Sequence, residues 1–294
     1  MPEGRVIKTQ NSFFYVDNGS ELISCKLRGK IKKGRQQNVV TGDRVEFSLL
    51  SAGSGVIERL LPRKNLLHRP QVANIDQVIL VFAVSAPEPH PLLIDRFLVM
   101  AEWSGIKDIV LCFNKCDLAD NPVLENILSF YSEIGYTVLE VSALEKKGIT
   151  ELKSLLDGKE TVFAGPSGVG KSSLLNAVDE SLGLQVGSIS DKIKRGKHTT
   201  RLACLIPFGT DGVIADTPGF SSLDLSEIPA EKLAGYFPEF TDFLDGCRYR
   251  GCTHSHEPEC SLKKAVEDKK ISESRYQSYL RFLQEINERK NEQW

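Results

Sequence analysis

Gly165-Pro166-Ser167-Gly168-Val169-Gly170-Lys171-Ser172, followed by Ser173, matches the pattern G-x-x-x-x-G-K-[ST]. Residues of these types at this spacing hold a triphosphate. The glycines let backbone N–H groups turn inward around the phosphates, and a helix opening at Lys171 adds the positive end of its dipole. Lys171 reaches the β- and γ-phosphates, and Ser172 is placed to ligate Mg²⁺. The same loop serves ATPases, kinases and GTPases, so the base must be read elsewhere.

Asn114-Lys115-Cys116-Asp117 supplies that reading. An aspartate at position 117 accepts hydrogen bonds from both the N1–H and the exocyclic amine of guanine. Adenine offers no such donor pair, and pairing of this kind discriminates strongly. Ser142-Ala143, after the next strand, resembles the companion motif whose alanine N–H meets guanine O6, a signal that counts only beside the Asn-Lys-x-Asp loop. Asp216-Thr217-Pro218-Gly219 reads as Asp-x-x-Gly, with Asp216 in the Mg²⁺ shell and the Gly219 N–H against the γ-phosphate. The polar, basic stretch 187–200 has the character of a loop that orders on GTP, and Thr199 or Thr200 is its second Mg²⁺ ligand. Phe220 stands where Ras-like enzymes carry a water-orienting Gln, so the general base must come from elsewhere. His198 is the candidate, the alternative being an exposed histidine that touches RNA or nothing. Arg195 or a partner group is placed to stabilise the developing phosphate charge, and slow turnover is expected of the protein alone.

Apolar runs of strand length at 76–84, 106–113, 136–141, 160–163, 202–207 and 212–215 alternate with helical patterns at 92–103, 123–134, 149–156 and 171–178. This alternation predicts a mostly parallel α/β sheet covered on both faces, with the Asn114 loop at its carboxyl edge. From Gly4 to about Leu61, alternations such as Ile23, Cys25 and Leu27 against Ser24, Lys26 and Arg28 predict four or five short antiparallel strands. A small barrel of the oligonucleotide-binding (OB) type fits that size. After Asp224 come short helical pieces, a Cys/His cluster and a charged helix from about Ser272, which faces RNA or protein or else packs on the cluster. The expected domains are a barrel over 1–68, a nucleotide-binding domain over 69–225 and a mainly helical metal-binding domain over 226–294.

The 294 residues are 41% hydrophobic and 26% charged, which excludes collagen-like, low-complexity and wholly disordered chains. No apolar run approaches the ~20 residues that span a bilayer, and the first twenty residues hold no signal-peptide core. A cytoplasmic protein with no membrane partner is expected, and the absence of coiled-coil heptads suggests a monomer. The net charge of −2 divides into +6 over residues 1–68 and −8 over the rest. Lys26, Arg28, Lys30, Lys32, Lys33 and Arg35 concentrate six cations in ten residues beside the barrel. Most such runs are solvated faces; beside an OB barrel they also suit RNA phosphates. Of seven cysteines, Cys25, Cys112, Cys116 and Cys204 sit in apolar contexts as reduced core thiols. Cys247, Cys252 and Cys260 instead enclose His254 and His256. Three thiolates and one imidazole complete a closed tetrahedral set for structural Zn²⁺, with either histidine available as the fourth ligand.

The motifs run in a permuted order: Asn114 to Asp117, Ser142-Ala143, Gly165 to Ser173, Thr199/Thr200, then Asp216 to Gly219. A circular permutation closed across the turn near Gly158 produces this order. With the barrel and Cys247-x4-Cys252-x-His254-x5-Cys260, essentially the whole chain resembles the bacterial ribosome small-subunit-dependent GTPase A family. The resemblance implies a GTPase that binds the 30S subunit and its 16S rRNA late in assembly and turns over faster there than alone. It also implies His254 rather than His256 as the zinc ligand. Two other readings are an RNA-binding scaffold with a structural nucleotide site and a P-loop small-molecule kinase. Intact Lys171, Ser172 and Asp216 argue against the first, Asn114 to Asp117 against the second.

Overall fold

The computed structural model describes residues 1–29, 38–68, 71–118, 122–184, 204–209, 212–216 and 223–292, without the side chains of 122–124, 204, 216 and 290–292. Strands β1 (Glu3–Gln10), β2 (Phe13–Asp17), β3 (Leu22–Leu27), β4 (Arg44–Ser51) and β5 (Ser54–Leu60) pair in the order β1-β2-β3-β5-β4, and β4 returns to β1 to close a barrel. Alternate residues point inward, so Val6, Val16, Ile23, Cys25, Val45, Phe47 and Ile57 are fully buried in its core. A hairpin of β6 (Leu66–His68) and β7 (Gln71–Ala73) leads out of the barrel, and His68 stacks on Trp103 at 4.1 Å.

The second body is built on β8 (Gln77–Ala83), β9 (Asp108–Asn114), β10 (Thr137–Glu140), β11 (Glu160–Ala164), β12 (Cys204–Phe208) and β13 (Gly212–Asp216). The order β10-β9-β8-β11-β13 is parallel throughout, and β12 adds antiparallel to β13. Every residue of β8 is buried, as a strand covered on both faces requires: Val78, Leu80 and Phe82 face one layer, Ile79, Val81 and Ala83 the other. Helices α1 (Pro91–Trp103) and α2 (Pro122–Glu133) cover the first face; α3 (Ile149–Leu156) and α4 (Lys171–Val178) cover the second. The expected mostly parallel, doubly covered sheet is therefore present. Gly158 occupies the turn between α3 and β11 with φ 67°.

Barrel and sheet are continuous. Lys8 of β1 pairs with Cys204 of β12, and the described strands β1–β5 and β8–β13 form one hydrogen-bonded sheet. Arg5 and Arg44 of the barrel meet Glu160 at the start of β11, at 2.8 and 3.1 Å. Burial pushes the Glu160 carboxyl pKa above its ordinary value, against the pull of these two cations.

After Asp224 the chain forms short helical pieces, the first a 3-10 helix over Ala230–Tyr236, then α5 (Ser261–Glu267) and α6 (Glu273–Glu292). Phe237, Phe240, Leu262, Tyr279, Phe282 and Ile286 share one buried cluster with Ile94 and Phe97 of α1 and with the first face of the sheet. Of the two readings of the last helix, the packed one stands. Arg275, fully buried, enters the same layer: its Nη1 meets Asp95 at 2.7 Å, its Nε meets Glu239 at 2.6 Å, and its guanidinium lies 4.5 Å over the Phe237 ring. Burial disfavours its charge, yet Asp95 and Glu239 together hold its pKa above the ordinary arginine value.

Candidate nucleotide site and metal centre

Five loops leave the carboxyl edge of the parallel strands, the edge where open α/β sheets bind ligands. After β11 the chain turns at Gly165 with φ 141°, and a Cβ there would overlap the Val81 carbonyl oxygen in β8. Gly170, with φ 93°, precedes α4, and a Cβ on it would overlap the Asn114 side-chain amide. Positive φ and close approach thus favour glycine at both positions, the neighbour being the Val81 backbone at Gly165 and the Asn114 side chain at Gly170. Ser167 and Gly168 are exposed at the loop tip, while Val169 and Ser172 are buried beneath it. The Lys171 ammonium folds over the loop and donates to the carbonyls of Gly165 (2.8 Å) and Pro166 (2.7 Å). Burial pulls its pKa down to about 8.

Asn114, buried at the end of β9, ties this loop to the base-reading loops. Its Nδ2 donates to the Val169 carbonyl at 2.8 Å, and its Oδ1 accepts the Ala143 N–H at 3.2 Å. The Ala143 N–H, assigned from sequence to guanine O6, therefore points to Asn114 across a long bond. Asp117 Oδ1 accepts the Ser142 hydroxyl at 2.5 Å, and the Cys116 N–H donates to Val141 at 3.1 Å. Lys115, with φ 66°, extends its ammonium to the Ala86 carbonyl at 2.5 Å. Asp216 ends β13, hydrogen-bonded beside β11 in the sheet. Asn114 to Asp117, Ser142-Ala143, Gly165 to Ser173 and Asp216 thus converge on one edge, as their motifs require. His198, Thr199, Thr200, Arg195, Gly219 and Phe220 lie outside the described residues, as do Lys30, Lys32, Lys33 and Arg35. Of the basic run, Lys26 places its ammonium 4.9 Å over the Phe13 ring, and Arg28 pairs with Glu58.

The ligand atoms of Cys247, Cys252, His254 and Cys260 lie within 4.8 Å of one another. A tetrahedral zinc with bonds of about 2.3 Å to sulfur requires sulfur–sulfur edges of about 3.8 Å. Cys247 and Cys260 meet that spacing at 3.8 Å, and His254 Nδ1 is 3.4 Å from each of their sulfurs. The donor set fits the ion. His254 is buried and its pKa is lowered by that burial, which keeps the imidazole neutral and able to coordinate, whereas His256 is exposed beside Ser255. The loop is braced from α6: Tyr276 donates to the His254 carbonyl at 2.7 Å and Tyr279 to that of Thr253 at 2.5 Å.

A model of the RsgA GTPase matches residues 60–226, and one of the RsgA N-terminal domain matches residues 3–57. The chain belongs to the RsgA GTPase family. A protein named "Small ribosomal subunit biogenesis GTPase RsgA" from Caldanaerobacter subterraneus is 42% identical over 294 residues, covering 99% of this chain and 98% of its own. One of the same name from Bacillus cereus is 45% identical over 293 residues, covering 99% of each. The crystal structure of YjeQ from Thermotoga maritima superposes with a TM-score of 0.83 at 42% identity, covering 97% of this chain and 98% of that one. YloQ, described as a circularly permuted GTPase, superposes at 0.79 with 36% identity, covering 98% and 96%. The RsgA likeness thus spans barrel, permuted GTPase and metal loop together.

Sequence reasoning missed Ala86, whose loop touches the Lys115 ammonium, because a Pro-containing turn after a buried strand carries no motif. It also missed the ion pairs that α6 makes to the chain just after the Asp216 loop. Charged positions on an amphipathic helix read as solvent-facing, so no local signal marks them.

Proposed function

We propose that the protein hydrolyses GTP to GDP and phosphate as a biogenesis factor of the small ribosomal subunit, binding that subunit and its 16S rRNA. The carrying observation is the convergence of Asn114, Asp117, Ala143, Lys171 and Asp216 on one sheet edge, clamped by the Asn114–Val169 bond at 2.8 Å. Asp117 selects guanine, helped by the Ala143 N–H; the glycine loop and Lys171 hold the phosphates. Ser172 and Asp216, with Thr199 or Thr200, would hold Mg²⁺, which would supply positive charge against the phosphates. His198 is the water-orienting candidate, and Gly219 senses the γ-phosphate. Zn²⁺ at Cys247, Cys252, His254 and Cys260 would staple the loop to itself and to the start of α5, while Tyr276 and Tyr279 of α6 brace it from outside. The division into a barrel over 1–68, a GTPase domain over 69–225 and a metal-binding domain over 226–294 follows this reading, with rRNA phosphates met by the basic run Lys26 to Arg35 of a monomeric, cytoplasmic protein. No helix among the described residues is long and apolar enough to cross a membrane. Neither the kinase nor the scaffold reading gains support from the relatives named above.

The test is GTP hydrolysis by the purified protein alone, with small subunits, and with large subunits or ATP as controls. Stimulation by small subunits with GTP only is expected. Equal turnover of ATP would sink the base assignment, and indifference to small subunits would sink the ribosomal one.

A further inference from the structure

A groove of about 970 Å³ runs between the N-terminus of α1 and the exposed side of α6. Leu92, Ser278, Leu280, Arg281, Glu285 and Glu288 are among its lining residues, none of them part of a nucleotide motif or of the metal set. Three donors on its wall are unpaired among the described residues. Helix α1 has no side-chain cap and begins with Pro91, while Leu93 and Ile94 both donate back to the His90 carbonyl, which leaves the Leu92 N–H without an acceptor. Ser278 is only 4% exposed, yet its hydroxyl has no partner, and what remains of its surface opens into the groove. Ser104 and Ser154, by contrast, bond the carbonyl four residues back, as helical serines do. Arg281 is exposed and makes no ion pair, whereas Arg275 and Arg289 of the same helix and Arg96 of α1 are all paired.

An N–H, a hydroxyl and a guanidinium on one wall are a donor set for an oxyanion, and the positive end of the α1 dipole favours negative charge beside them. The planar fork of an arginine suits a carboxylate. The rest of the groove decides what carries that group. From Ser274 to Glu288 the lining follows α6 for about 21 Å, far more than one carboxylate fills. Glu285 is already held by Arg96 and Arg289, but Glu288 is exposed, and Leu92 and Leu280 add half-buried apolar surface. A strand of RNA carries a phosphate at every nucleotide and would set a second one against Glu288. A polypeptide can instead place an acidic group at Arg281 and a basic one at Glu288, about 10 Å along the helix, the reach of about three extended residues. We propose that this groove binds a polypeptide segment of a partner through one carboxylate, with Arg281, the Ser278 hydroxyl and the Leu92 N–H as donors and Glu288 facing a basic residue three positions away.

The probes are the acetylated, amidated hexapeptide Leu-Glu-Leu-Ala-Lys-Leu and its reversed sequence, titrated into the full-length metal-loaded protein and followed by amide chemical shifts and calorimetry. One of the two is expected to bind with a Kd of about 1 mM or tighter and to shift the Leu92 amide. Replacing its Glu by Gln should weaken binding at least about fivefold, because a charge-assisted bond becomes a neutral one. Arg281→Ala should cost about tenfold and Ser278→Ala about fivefold, both with wild-type melting temperature and GDP affinity. Glu288→Gln, which removes an exposed pair, should cost about twofold. Failure of both peptides to bind, equal binding of the Gln peptide, or binding that survives Arg281→Ala overturns the proposal. So does hexauridylate that binds as tightly as the better peptide and is equally sensitive to Arg281→Ala, since the groove would then hold RNA phosphate. If Arg281→Ala also changes GDP affinity, Ser278→Ala decides: weakened peptide binding with normal GDP affinity supports the donor set, and unchanged peptide binding overturns it.

Discussion

Gly170→Ala isolates the junction between phosphate and base recognition. At φ 93° an alanine is strained, and its Cβ would overlap the Asn114 amide. Left-handed backbone costs about 1–2 kcal/mol for a residue with a Cβ. Displacing Asn114 removes its bond to Val169 and leaves buried polar groups unpaired, about 1–3 kcal/mol more. The sum, about 2–5 kcal/mol, falls on the nucleotide-free loop; a variant that relaxes out of this conformation must regain it to bind, which predicts at least a 30-fold loss of affinity for GDP and GTP alike, at roughly tenfold per 1.4 kcal/mol. Titration calorimetry reads it, with thermal unfolding to separate damage to the fold. The same substitution in an Asn114→Ala background should cost only the backbone strain, because the clash has gone. Equal costs in the two backgrounds would refute the claim that Gly170 is required by Asn114, leaving phosphate approach alone as the reason for the glycine.

Lys171 predicts a proton linkage. Its pKa of about 8 in the nucleotide-free fold lies below the ordinary 10.5, so the folded state binds fewer protons than the unfolded chain in between. The destabilisation is complete below pH 8 and is relieved as pH rises toward 10.5. A triphosphate needs the cation, so GTP affinity should fall as pH rises above about 8, with proton uptake on binding visible as a buffer-dependent heat at pH 8.5. Lys171→Met should show weak binding and no uptake; wild-type uptake of zero would contradict the assignment. Metal removal gives a further prediction: chelation should abolish amide protection in residues 247–260 and leave the barrel strands protected, as read by hydrogen exchange. Protection that survives verified loss of one zinc per chain would mean that Tyr276 and Tyr279 hold the loop unaided.

The loops of the nucleotide site were legible because their chemistry is local. A glycine forced by the neighbouring strand, a buried run such as Val78 to Val84 and a helix opening at Lys171 all leave their mark within a few residues. The metal loop was legible for the same reason, its four ligands lying within fourteen residues. What eluded sequence reasoning is the set of contacts that join distant segments. Arg275 finds Asp95 across 180 positions, and Arg96 finds Glu285 across 189. On a 20-residue helix rich in charge, neither arginine nor glutamate differs from its solvated neighbours until the partner is in place. Lys8 meeting Cys204 is equally silent, since one pair at a strand end has no period.

These silent contacts fall where the permuted order makes them matter. The chain re-enters the sheet after residues 185–203 at Cys204, which pairs with the barrel, and leaves the Asp216 loop at Leu223, which α1 and α6 hold. The described residues that follow the two segments expected to respond to GTP thus lie against the barrel and against α1 and α6. Were nucleotide to alter the hold of an outside partner on the barrel or α6, reciprocity would require that partner to alter nucleotide binding by the same factor. An unpermuted arrangement, with the Asn-Lys-x-Asp strand following the Asp-x-x-Gly loop, would carry the chain from that loop back into the sheet rather than on to the C-terminal helices.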